Sequence, residues 1–421
     1  MKDNIRLILD IKEFELPNGL RVIMSKRSDL PIAAMNMTFH IGSKDEDDDK
    51  TGIAHLLEHL MFEGSPNTSR GEFDEILNKN GGDSNAYTSW DLTGYYLVLP
   101  SSKLELGFWL DSDRLAGFGI TEDSFEIQRN VVLEEKLQVQ DNVPYGSLEE
   151  ESSKRLFKNS GYRWPVIGFT ENIENLKFSD VRYFFDKYYK PDNAVLSIVG
   201  DIDYTETEKQ IKKYYGGIER GEGYKRKPFT DNYLVTEQKD TIISDVQLPG
   251  KFLFYLLPKA GSKEYYEMNI LNQILTSGES SKLYNELIYK SQYANEAESM
   301  IFAMEHISIF FVNLIARKGI ELNELEKKYD KIISDVKKGN FTDEDLRKAK
   351  NKLETNYFTK FHSSIYVSEK LAEYHILFGE YGKLLNEIDF YEKIGRDEII
   401  DVSNKYLNNN QRVNLSYVPK E

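Results

Sequence analysis

A chain of 421 residues is too long for one core of ordinary domain size, so two domains of roughly 200 residues are expected. A net charge of −16 disfavours nucleic acid and anionic membranes as partners, because both reward a basic surface. The absence of cysteine excludes disulfides and thiolate ligands together, leaving His, Asp or Glu to hold any metal.

The opening Met-Lys-Asp-Asn-Ile-Arg lacks the charged-then-apolar layout of a signal peptide. No apolar run reaches the ~18 residues a membrane-spanning helix needs. A cytoplasmic protein without membrane insertion is the expectation. Alternating apolar residues around Asn18-Gly19 predict a hairpin over 14–24, followed by a strand over 33–41. The acidic loop 45–50 suits the positive end of the helix expected over 52–62. A strand at 93–99 leads to helices over 102–116 and 121–140, and a helix–strand pair spans 179–199. Gly, charge and Pro concentrate in 216–232, which reads as a linker and sets the expected domains at 1–220 and 221–421. Amphipathic helices are expected at 321–338 and 342–358, the latter opening on Thr342 as its N-cap.

The second half echoes the first. Residues 187–199 and 405–418 each read as a helix end, a polar turn and a strand; 35–44 and 252–263 each lead from a strand into a helix. The fold expected is α+β: two duplicated domains, each a mainly antiparallel sheet packed with helices, enclosing a cavity. Where the first copy carries its histidines, the second has Ile270-Leu-Asn-Gln-Ile-Leu275. Chemistry is therefore expected in the N-terminal domain, with the C-terminal domain non-catalytic.

His55 and His59 lie four apart in a helical context, on one face about a turn from each other. That spacing lets two imidazoles reach one zinc ion. Glu58, between them, is placed to take a proton from water at the metal's open position and to hand it to a leaving amine. A catalytic zinc needs a third protein ligand, and the downstream helix offers Glu134 and Glu135, between which spacing does not choose.

The run Thr51-Gly-Ile-Ala-His-Leu-Leu-Glu-His-Leu-Met-Phe-Glu-Gly64 resembles the pitrilysin-like zinc peptidases, the inverzincin family of insulin-degrading enzyme and mitochondrial processing peptidase. The resemblance extends through Asn80-Gly-Gly-Asp-Ser-Asn-Ala-Tyr-Thr88, Val131-Val-Leu-Glu-Glu135 and Pro144-Tyr-Gly146, and is strongest with the short bacterial members. It implies a zinc endopeptidase with one Zn2+ per chain, Glu135 as third ligand, and Glu134 facing away or supporting the site. It also implies that Asn85 and Ala86 contact extended peptide beside the scissile bond by strand addition.

Two departures stand out. Many members carry a glutamate seven residues before the third ligand, where this chain has Gln128, an amide able to orient a neighbour without lending charge. Active members also place an Arg and, six or seven residues on, a Tyr in the C-terminal half to hold the substrate carbonyl. Here Tyr289 and Asn295 occupy those places, with Tyr293 and Lys290 nearby, and no arginine lies between Arg226 and Arg317. The resemblance then implies a dimer, with a paralogue lacking the zinc motif supplying the missing pair. His40, His306, His362 and His375 have no partner at ligand spacing and are expected to be structural or surface residues.

Overall fold

Chain direction first reverses at Asn18-Gly19. Gly19 adopts φ +90°, open to glycine at little cost, and the Asn18 amide donates to the Tyr215 carbonyl at 2.8 Å. The turn joins β1 (Asp10–Glu15) to β2 (Arg21–Lys26) as an antiparallel pair. The computed structural model describes residues 9–234 and 236–420; the N-terminal residues read above for targeting lie outside them.

Four more strands complete the first sheet: β3 (Ile32–Phe39), β4 (Asp83–Thr88), β5 (Thr93–Pro100) and β6 (Ala194–Gly200). Their order is β1-β2-β6-β3-β5-β4, with β2 and β6 parallel and every other pair antiparallel. The second sheet comprises β7 (Gln238–Ser244), β8 (Gly250–Pro258), β9 (Ala294–Phe302), β10 (Ile307–Ala316) and β11 (Arg412–Pro419). It runs β7-β11-β8-β10-β9, and its one parallel pair is β7 with β11. Set side by side, β2-β6-β3-β5-β4 and β7-β11-β8-β10-β9 have the same order and the same strand senses. The expected duplication is present, and the segments matched in sequence are the corresponding pairs β6/β11 and β3/β8.

Two compact units form. The first holds the described residues up to Leu137, with Trp164–Pro228 and Lys360–Leu385; the second holds Gln138–Arg163, Phe229–Thr359 and the residues from Asn386 on. Each unit thus draws on chain from both sides of the linker read at 216–232. In the first, the Ser364–Phe378 helix packs on β3 and β6; in the second, the Leu148–Leu156 helix packs on β8 and β11. The first core gathers Val22, Met35, Leu57, Phe108 and Phe185, and the second Leu253, Leu271, Phe310 and Tyr329. The helix expected over 121–140 is α-helical over Glu122–Lys136 and then widens into a π turn at Leu137–Asp141. Thr342 caps its helix as expected, accepting from the Asp345 N–H at 3.1 Å. Among the described residues no helix is long and apolar enough to cross a membrane.

Candidate metal centre

The Ile53–Leu60 helix begins at Gly52, whose φ of +90° and close approach to the Ile167 carbonyl leave no room for a side chain: a Cβ would sit 2.5 Å from that oxygen. The first helical N–H groups have no partner within the helix. Glu46 supplies one, accepting from Gly52 and Ala54 N–H at 2.9 Å each. Burial drives its carboxyl well above the usual range. Of the acidic loop, Glu46 therefore sits at the helix start, whereas Asp47 reaches Lys227 at 2.9 Å. Ile53, Ala54, Leu56, Leu57 and Leu60 face the core, which turns His55, Glu58 and His59 to the opposite side. There the helix meets Glu122–Lys136 and β4.

That packing brings the two imidazoles together with a residue from the second helix. The His55 and His59 rings lie 4.8 Å apart; His59 Nε2 is 3.3 Å and His55 Nε2 3.8 Å from the same oxygen, Oε2 of Glu135. One ligand atom from each residue lies within 4.8 Å of the others, and among the described residues this is the group of three able to hold a metal. Two imidazole nitrogens and a carboxylate oxygen are a donor set that zinc takes when one position stays open. Glu134 is exposed and lies outside the group.

Glu58 is fixed from the sheet: Thr88, the last residue of β4, donates its hydroxyl to Glu58 Oε2 at 2.5 Å. Burial raises the Glu58 carboxyl above its ordinary range, with Thr88 and His59 offsetting part of the rise. Burial, then the neighbouring His59 charge, pushes His55 down to about 4, so its imidazole is neutral at pH 7. Burial is the largest influence on His59 and opposes its charge, but the hydrogen bond and charge of Glu135, the Glu58 charge and the Gln128 amide together outweigh it and raise His59. The same bond, first among its causes, lowers Glu135. Two like rings four residues apart are thus driven in opposite directions, as happens where charges are gathered for chemistry.

Asn85 and Ala86 lie in the middle of β4, paired to β5 on one side and at the sheet edge on the other. Asn85 is exposed, and its side-chain oxygen takes the Ala86 N–H at 2.9 Å. Gln128 does reach the centre: it hydrogen-bonds His59, and its Nε2 donates to Glu63 Oε1 at 2.7 Å. Tyr289 and Tyr293 belong to the second unit, where Tyr284–Lys290 winds as a π-helix. Tyr289 is 72% exposed, whereas Tyr293 lies half-buried with Lys328 Nζ 4.2 Å from its ring centre. Thr88 and Glu63 escaped sequence reasoning because their contacts bridge 30 and 65 residues, with no local spacing to mark them.

Comparison with known proteins places these features among proteases. Residues 21–168 match the family described as insulinase (peptidase family M16), and residues 175–353 match the peptidase M16 inactive domain. The zinc protease PqqE of Helicobacter pylori is 28% identical over 411 residues, covering 96% of this chain and 92% of that protein. An uncharacterized zinc protease of Bacillus subtilis, YmxG, is 24% identical over 382 residues, 90% of this chain and 91% of its own. A crystal structure of a protease from Helicobacter pylori superposes with TM-score 0.93 at 27% identity, covering 98% of this chain and 100% of that one. A peptidase M16 inactive domain from Pseudomonas fluorescens shares the fold at TM-score 0.88 and 20% identity, with 98% of each chain covered.

Proposed function

Because the chain belongs to the M16, insulinase-like, peptidase family, we propose that it is a zinc-dependent endopeptidase acting on extended or unfolded peptides. The observation that carries this reading is the convergence of His55, His59 and Glu135 within 4.8 Å, next to a Glu58 carboxyl held by Thr88. His55, His59 and Glu135 would hold one zinc ion. When bound, zinc supplies a Lewis acid and acidifies water at its open position. Glu58 takes the proton from the attacking water and returns it to the leaving amine. Asn85 and Ala86, on the edge of β4, meet the peptide backbone; the Asn85 amide that holds the Ala86 N–H gives way to a substrate carbonyl. The match to an inactive domain over 175–353 falls largely on the half whose helix carries Ile270–Leu275 in place of histidines, and takes nothing from the first.

In this reading the protein works in the cytoplasm as a dimer, and a paralogue lacking the zinc motif supplies the Arg and Tyr that hold the substrate carbonyl. Tyr293 is committed to its own unit beneath Lys328, which supports an outside source, and Tyr289 alone of the two stands open. The test is hydrolysis of a peptide library by protein of measured zinc content, beside Glu58→Gln carrying the same zinc. Cleavage by the parent and a loss of ~10²–10⁴-fold in the variant is expected. Equal rates in the two would refute the role of Glu58. A parent loaded with zinc yet inactive, both alone and with its paralogue, would refute the peptidase reading.

A further inference from the structure

The protein groups behind the zinc ligands form a chain that ends at the surface. His59 turns Nε2 toward Glu135, so the ring nitrogen left to meet Gln128 is Nδ1. Gln128 in turn gives its Nε2 to Glu63 Oε1 at 2.7 Å. Glu63 is 9% exposed, and its other oxygen, Oε2, lies 2.7 Å from Nε of Arg70, a side chain that is itself half-exposed. An amide can point either end at a neighbour, and only its surroundings decide which. An ionised carboxylate accepts and does not donate. The Glu63 carboxylate therefore fixes the Gln128 amide with Nε2 away from the metal centre and its oxygen toward His59.

We propose that Glu63, held by Arg70, is a positioning residue: through Gln128 it locks His59 as the Nδ1–H tautomer, with the Nε2 lone pair directed to zinc. The inference rests on the zinc-peptidase reading for its purpose, but its geometry stands without it. A ligating histidine commonly donates its second N–H to a carboxylate or carbonyl, which sets both tautomer and ring orientation. Here the carboxylate stands one residue further back, and an amide transmits its directionality without bringing a charge against the ring. Arg70 meets the charge of Glu63 at the surface, so the buried carboxylate is not left alone.

The arrangement makes a sharp prediction about exchange of the two side chains. Glu63→Gln gives Gln128 an amide neighbour that accepts or donates equally well, so the orientation is no longer dictated. Gln128→Glu sets two carboxylates against each other. The double variant Glu63→Gln with Gln128→Glu restores a defined network, with the carboxylate accepting from both the His59 N–H and the new amide. Zinc affinity, measured by chelator competition on the full chain, should fall ~10–100-fold in each single variant and recover to within a few-fold of the parent in the exchange.

Thermal unfolding of the zinc-free proteins separates loss of the fold from loss of the site. Should Glu63→Gln fail to fold, Arg70→Met, which loosens Glu63 from outside, is expected to weaken zinc several-fold. Parental zinc affinity in the folded Glu63 variant (or, failing that, in Arg70→Met), or an exchange no better than the worse single variant, would overturn the proposal. Neither result touches peptide hydrolysis by the parent, so this inference and the peptidase reading fail separately.

Discussion

Corresponding strands of the two sheets solve the same packing problem with opposite chemistry. At the start of β6, Ala194 lies opposite Phe39, and Phe39 packs on Tyr189 at 4.4 Å while Tyr189 and Tyr95 share a hydroxyl hydrogen bond of 2.8 Å. At the start of β11 the matching residue is Arg412, opposite Tyr255. Its guanidinium reaches Tyr255 at 3.1 Å, Asp330 at 2.7 Å, Glu326 at 2.6 Å and Glu237 at 2.9 Å. Lys251 joins Glu326 at 3.0 Å with its side chain wholly buried. The second unit thus buries charges that are matched within the protein. The first buries a matched pair too, Arg114 with Asp111 at 2.9 Å, but it also brings two imidazoles and two carboxyls together at His55, Glu58, His59 and Glu135. Matched burial serves structure; a donor set that converges on a common point serves a ligand.

The harshest way to break that contrast is Arg412→Met. It would take the shared cation from Asp330 and Glu237 and leave Glu326 only its lysines, Lys251 and Lys239, and breaking such a buried pair costs about 3–5 kcal/mol. Urea unfolding should report a loss of that size, while the zinc content of the folded variant matches the parent. A loss below about 1 kcal/mol would mean that solvent or side-chain movement replaces the arginine.

The first unit has a buried charge of its own, in Asp45, and pH tests it. Burial is the largest influence and pushes its carboxyl up to about 6, against the pull of Lys44 and Arg226 and of the Gly42 N–H. The folded state therefore holds this proton more tightly than the unfolded chain does. Its contribution is complete below the ordinary value of 3.8 and is lost as pH rises through about 6. Asp45→Asn cannot ionise, so its stability relative to the parent should rise across that window by about 2–3 kcal/mol and level off above it. Glu46, close by, is raised chiefly by its own burial and only least by the Asp45 charge, so the difference between parent and variant reports mainly Asp45. A flat difference would place the Asp45 carboxyl in its ordinary range.

A smaller effect sharpens the catalytic side. Thr88→Val removes the donor to Glu58 while keeping the side-chain volume. A hydrogen bond to a charged group contributes about 1.5 kcal/mol, so kcat should fall about tenfold with KM and zinc affinity unchanged. An unchanged kcat would mean that Glu58 is held by its helix alone.

How far the sequence reveals all this depends on the range of each contact. His55, Glu58 and His59 are legible because one helix carries all three, and the periodicity of a helix is local. Glu135 follows from spacing only to within one residue, since Glu134 sits on the same helix; the fold decides between them by pointing one inward. The duplicated sheets show through in two short segments because each strand follows its turn or helix directly. The crossing of Leu148–Leu156 and Ser364–Phe378 to the other unit does not show, because an amphipathic helix carries no label for the sheet it covers. The links from Glu63 to Gln128 and from Thr88 to Glu58 are invisible for the same reason: they join residues whose separation the tertiary fold alone removes.

The finest form of the comparison concerns how the two corresponding helices begin. In the first unit two N–H groups at the start of Ile53–Leu60 are met by the buried Glu46 carboxyl. In the second, the Lys263–Thr276 helix starts with an ordinary hydroxyl cap, Ser262 Oγ accepting from the Tyr265 N–H at 3.2 Å. A carboxyl that reaches across a loop fixes where the histidine-bearing helix starts relative to that loop, which a site demanding sub-ångström placement requires. A helix that only supports a core needs its donors satisfied and nothing more. Ser262→Ala should therefore cost about 1 kcal/mol of stability, the usual value of a lost cap, and leave zinc affinity and hydrolysis untouched. If the variant instead weakened zinc binding, the second copy would be communicating with the metal centre, and the division between a working unit and a supporting one would have to be redrawn.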